Sequence, residues 1–129
     1  MPKRQHLKLL QQGVDIWNAW RDKEPPVEAN LSRTYLVGAN LSSANLSRAN
    51  LVGANLSRTN LVGAKLYEAN LTGAQLGGAN LSGADLSGAN LSGADLSRAN
   101  LYRANLGKAQ LGGANLYRAK LHAATVLVS

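Results

Sequence analysis

The sequence predicts an all-β solenoid, a chain that coils around its own leucines and turns a corner every five residues. Three observations predict it. From Ala29 to Val128 the chain reads as twenty consecutive five-residue units, each centred on an apolar residue: Leu31, Leu36, Leu41 and every fifth position to Leu121, with Val126 completing the series. Alanine stands two residues before each centre, replaced only by Thr34 and Thr59. Glycine fills nine of the twenty positions two residues after the centre, and no proline interrupts the run.

Neither regular element accommodates that period. Five residues of α-helix advance about 140° net, so leucines at this spacing would be smeared around the helix. A straight strand alternates faces with period two, and successive leucines would point to opposite sides. Within a unit, however, alanine and leucine are two apart, and a short extended piece sends both the same way. The other three residues must then turn the chain, and their identities suit a turn. Glycine reaches turn conformations at little steric cost, and asparagine and serine favour turns through local side-chain bonds to the backbone. With no proline, every backbone N–H in the run can be used between coils.

The residues before Ala29 are of another kind. Leu7, Leu10, Val14 and Trp17 fall at helical spacing, with Leu9, Ile16 and Trp20 widening the stripe. One helix over about residues 4–22 is expected, weakened at Gly13 and ended by Pro25-Pro26. Residues 1–28 are therefore read as a helical cap and linker covering the open edge and apolar end of the first coil, and 29–129 as the repeat. No comparable cap follows the last unit. There Leu127 and Val128 occupy positions that point outward elsewhere, which suggests association at that end, with a homodimer as the expected form.

Units such as Ala-Asn-Leu-Ser-Gly at Ala79–Gly83 and Ala-Asp-Leu-Ser-Arg at Ala94–Arg98 resemble those of the pentapeptide repeat family, whose pattern is A(D/N)LXX. The resemblance covers about 100 of 129 residues without a break. It implies a right-handed quadrilateral β-helix with four units per coil, hence about five coils. Leu31, Leu51, Leu71, Leu91 and Leu111 would then share one column, and the rod would be roughly 24 Å long at about 4.8 Å per coil.

Composition narrows the function. The chain has 129 residues, enough for one domain, and lacks phenylalanine, so leucine must supply the core. The absence of cysteine excludes disulfides, thiol nucleophiles and thiolate metal sites. No run approaches the roughly 20 apolar residues of a membrane span, and no apolar stretch of signal-peptide type follows the charged N-terminus, so the cytoplasm is the expected location. His6 and His122 lie at opposite ends and read as solvated surface histidines. Asp85 and Asp95 are ten residues apart, which four units per coil would place on opposite sides, so they form no acid/base pair. Metal ligands do not cluster, and the periodic glycines lack the Lys-Ser/Thr of a phosphate loop. No cofactor and no catalytic activity are expected.

Charge is the one informative surface feature. The net charge is +7, and after Asp95 no acid appears. Arg98, Arg103, Lys108, Arg118 and Lys120 follow, with Tyr102 and Tyr117 each beside an arginine. Arg98, Tyr102, Arg103, Lys108, Tyr117 and Arg118, with Leu127 and Val128, are the candidate interaction surface. The expected function is a non-catalytic protein-interaction or scaffold module. The alternative is electrostatic binding of nucleic acid, or of an acidic partner, through the basic C-terminal half, since basic residues interleaved with aromatics suit phosphate contacts and stacking. Members of the family that imitate DNA and bind gyrase need an acidic surface; this basic one departs from that pattern.

Overall fold

The computed structural model describes residues 3–23 and 28–126. Each five-residue unit closes a turn of the same form. The alanine N–H of the next unit donates to the carbonyl of the leucine three residues earlier, as from Ala54 to Leu51 at 3.0 Å. The second residue after each leucine takes φ between 55 and 72°, whether it is glycine or not. Positive φ at that one position of a hydrogen-bonded four-residue turn is the type II arrangement. It explains the nine glycines, since their missing Cβ removes the steric penalty of the left-handed region.

The coil closes after twenty residues. Parallel bridges pair Asn30 with Asn50, Tyr35 with Asn55, Asn40 with Asn60 and Asn45 with Lys65, and continue at the same offset to Asn105 with Thr125. Four units, and so four corners, make one coil. The pairing is confined to single bridge residues, because a corner on either side leaves too little extended chain for a longer strand.

Backbone donors are accounted for almost completely. In the unit of Leu51, the N–H groups of Asn50, Leu51 and Gly53 donate to neighbouring coils at 2.8–2.9 Å, and that of Ala49 closes the preceding turn. The fifth, from Val52, goes to the side-chain oxygen of Asn50 at 3.1 Å. Every described unit with Asn or Asp before its leucine makes this last bond, at 2.9–3.2 Å. Asparagine recurs there because it answers the one N–H that neither coil nor turn can reach.

The core is the ladder of leucines and alanines. Central leucines are buried from Leu31 to Leu106, and the alanines beside them are buried with few exceptions. Thr34 and Thr59 fit among the alanines because their hydroxyls donate to the carbonyls of Leu31 and Leu56, at 2.8 and 2.7 Å.

The N-terminal segment forms two helices, α1 (Lys3–Gln11) and α2 (Val14–Lys23), rather than the single expected one. The break falls at Gly13, whose φ of 115° is closed to most side chains. It folds α1 back on α2. In one straight helix His6 and Trp20 would be about 21 Å apart along the axis; their rings are 5.2 Å apart. This geometry buries Leu10 and Trp17 against the first coil. It also corrects the reading of His6, which is buried, with Nδ1 accepting the Asn30 N–H at 2.8 Å.

Side chains from these helices supply bonds that a preceding coil would otherwise make. Asn18 Oδ1 accepts the Asn45 N–H at 2.8 Å, and Trp17 Nε1 donates to the Asn45 carbonyl at 2.7 Å. Arg21 donates to the Ser47 carbonyl, and Asn18 Nδ2 adds a bond to that of Ser43, a corner carbonyl that the coils themselves leave unused. At the other end, Leu111 and Leu116 are half-buried, while Leu121 and Val126 are exposed. Among the described residues no further coil or helix covers them.

Candidate interaction surface

All six arginines of the repeat, Arg33, Arg48, Arg58, Arg98, Arg103 and Arg118, sit at corner positions with left-handed φ, as does Lys108. The turn that demands this conformation points each of these side chains away from the leucine ladder, and all are exposed. A non-glycine residue in this region costs roughly 1–2 kcal/mol. The positive charge is thus held where glycine would be less strained.

The twenty-residue register determines which predicted residues meet. Arg98, Tyr117 and Arg118 share one corner column, with Arg98 one coil from the Tyr117-Arg118 pair. Tyr102 and Arg103 lie on the next corner, where His122 stacks on Tyr102 with ring centroids 5.6 Å apart and planes 9° apart. Lys108 lies on a third corner. The candidate residues therefore spread over three corners instead of forming one patch. Leu127 and Val128 lie outside the described residues. Sequence reading missed Arg58, two coils from Arg98 on the same corner, and the contact of His122 with Tyr102. Offsets of forty and twenty residues were the available signal.

The local electrostatics favour anions. Arg103 and Arg118 each place their guanidinium 5.3 Å from the ring of the neighbouring tyrosine, Tyr102 and Tyr117, within cation–π range. The acids of the repeat are already engaged. Glu68 pairs with Arg48 at 3.0 Å, the one ion pair among the described residues. Asp85 accepts from Ser87 N–H at 3.0 Å and from its hydroxyl at 2.6 Å. Asp95 accepts from Ser97 N–H at 2.9 Å. The Ser97 hydroxyl, with that amide, holds the Asp95 carboxyl below the usual carboxylate range. No group of three potential metal ligands occurs among the described residues. Among the same residues no helix is long and apolar enough to cross a membrane.

A leucine-cored solenoid of five-residue units with variable corners is the class this architecture defines. The family model for pentapeptide repeats matches in eight copies, over segments running from residue 27 to 126. The chain belongs to the pentapeptide repeat family. Among solved structures it is similar to a pentapeptide repeat protein from the thylakoid lumen of Arabidopsis thaliana, at 33% identity over 76% of this chain and 71% of that one, with a TM-score of 0.70. It is also similar to the pentapeptide repeat protein Rfr23 of the cyanobacterium Cyanothece 51142, at 44% identity over 77% of this chain and 67% of that one, with a TM-score of 0.57. No curated protein matches it.

Proposed function

We propose that this chain is a non-catalytic protein-interaction or scaffold module that presents its corners to a protein partner. The observation that carries the reading is the division of labour within each unit. Core positions are almost invariant along the chain, whereas the exposed corners vary among arginine, lysine, glutamate, serine, tyrosine and glycine, with every cation of the repeat except Lys65 and Lys120 kept at strained φ. The underlying coil is taken to be the right-handed quadrilateral β-helix of the family, spanning residues 29–129, with 1–28 as its helical cap and linker. The cytoplasm is its proposed setting.

Substitution corner by corner, with partner retention measured after crosslinking, tests this reading. Loss confined to one or two corners supports it. A partner set unchanged by substitution on every corner rules it out.

A second reading is favoured by the tyrosine–arginine pairs: electrostatic binding of nucleic acid or an acidic partner by the basic C-terminal half. Binding to generic DNA or RNA that falls steeply with salt, and is lost in Arg98/Arg103/Arg118→Ser, would support it. No retention at low salt would end it. Gyrase inhibition is not part of either reading, because the corners are basic.

The exposed Leu121 and Val126 support a further part of the proposal, end-to-end association of two copies. Sedimentation should show a concentration-dependent dimer weakened by Leu121→Asp; a monomer at all concentrations would exclude it.

A further inference from the structure

One corner carries a notch whose chemistry the preceding readings do not use. Ser57-Arg58, Gly77-Gly78 and Ser97-Arg98 occupy the same corner on three successive coils and line an open depression of about 380 Å³. The two glycines remove side chains from its floor. At Gly78 the missing Cβ is also a tight fit, since an added one would lie 3.3 Å from Arg58 Cγ. The backbone positions of Arg58 and Arg98 lie one coil to either side, about 9.6 Å apart at roughly 4.8 Å per coil, and Arg58 Cγ leans over Gly78. Neither has a carboxylate within ion-pair distance among the described residues.

The floor also carries an unanswered donor. Wherever Asn or Asp precedes the leucine, the N–H of the residue after the leucine is taken by that side chain, which locates this donor at the outer surface of the coil. In the notch unit the position is Gln75, one methylene longer, and it makes no such bond. The Gly77 N–H has no partner among the described residues.

We propose that this notch is a binding site for a phosphate dianion, of the kind a phosphate monoester carries. Arg58 and Arg98 contact its oxygens from two sides and the Gly77 N–H from the floor. Two guanidinium forks and an amide approaching from three directions match a tetrahedral oxyanion better than a planar carboxylate, and two cations match a dianion. Asp95, the nearest acid, is turned to the Ser97 N–H and opposes the ligand only through its charge. The proposal is independent of the partner-binding reading.

The chain contains its own control. Gly112 follows Gln110 and Leu111, so its N–H is equally unanswered, but the preceding coil presents Ser92-Gly93 there and no arginine. The experiment is an amide ¹H–¹⁵N titration of the full chain with inorganic phosphate at pH 7.5, with ionic strength held constant by sodium chloride. The Gly77 resonance is expected to move saturably and that of Gly112 to stay. Gln75→Asn, which restores the side-chain acceptor found in most units and keeps both arginines, should abolish the Gly77 shift. Arg58→Ser with Arg98→Ser should raise the midpoint at least tenfold, and Asp95→Asn should lower it. Acetate and dimethyl phosphate should saturate far more weakly. The proposal is overturned if Gly77 moves no more than Gly112, if Gln75→Asn responds like the unaltered chain, or if dimethyl phosphate matches inorganic phosphate in midpoint.

Discussion

At the scale of single residues, each corner position must adopt positive φ, and the amino acid found there determines how much strain is stored. Gly93 has φ 68° and open space where a Cβ would stand. Gly93→Ala therefore tests the backbone alone, and should lower stability by about 1 kcal/mol in chemical denaturation. Arg103→Gly is expected to do the reverse and leave the fold at least as stable. An alanine variant as stable as the parent would contradict the corner geometry. His6 provides a second test at this scale. Burial, aided by the nearby charge of Arg21, pushes its pKa below the ordinary 6.5, and its Nδ1 must be unprotonated to accept the Asn30 N–H. The unfolded chain then takes up a proton more readily than the folded one, so the stability due to His6 is complete above about pH 6.5 and is lost as pH falls through its folded pKa. The melting temperature should drop between pH 7 and pH 5, and His6→Gln should flatten that slope. Little of this was legible in advance. A lone histidine in a polar stretch reads as solvated, and only the break at Gly13 brings it under the first coil. The glycines signalled the corners; the arginines at the same conformation did not, because propensity argues against them there.

At the scale of the element, stability resides in the coil. Leu76 is fully buried in the middle of the ladder, with leucines one coil to either side. Leu76→Ala should cost about 2–5 kcal/mol through lost burial and a cavity that neighbouring coils cannot close. Urea denaturation measures it, and a cost below 1 kcal/mol would mean that the ladder is not packed as described. The five-residue period made the ladder readable from sequence because no helix or strand can bury every fifth residue. The stripe Leu7, Leu10, Val14 and Trp17 likewise announced helix. Its division into α1 and α2 was not readable, since a glycine in a helical pattern is often tolerated, and the reason for the break is tertiary. Only a folded-back pair places Leu10 on the core while Trp17 and Asn18 reach the backbone of Asn45.

At the scale of the whole molecule, a uniform core leaves the surface to be defined by register. Residues twenty apart become neighbours, and this offset places Arg98 beside Arg118, His122 on Tyr102, and Arg58 across a glycine notch from Arg98. The basic residues were visible in the sequence. Their distribution over three corners was not, because linear proximity suggested one C-terminal patch. Every surface described depends on the same spacing, and the absence of native cysteine allows it to be measured without background. The most direct measurement is oxidation of paired cysteine variants, followed by mass and mobility. Tyr102→Cys with His122→Cys, twenty residues apart, should form an intramolecular disulfide readily, since adjacent coils bring the backbone within disulfide reach. Tyr102→Cys with Tyr117→Cys, fifteen apart and on different corners, should not. If the second pair closes as fast as the first, or the first fails to close in a folded protein, the four-unit coil and the surfaces built on it are contradicted.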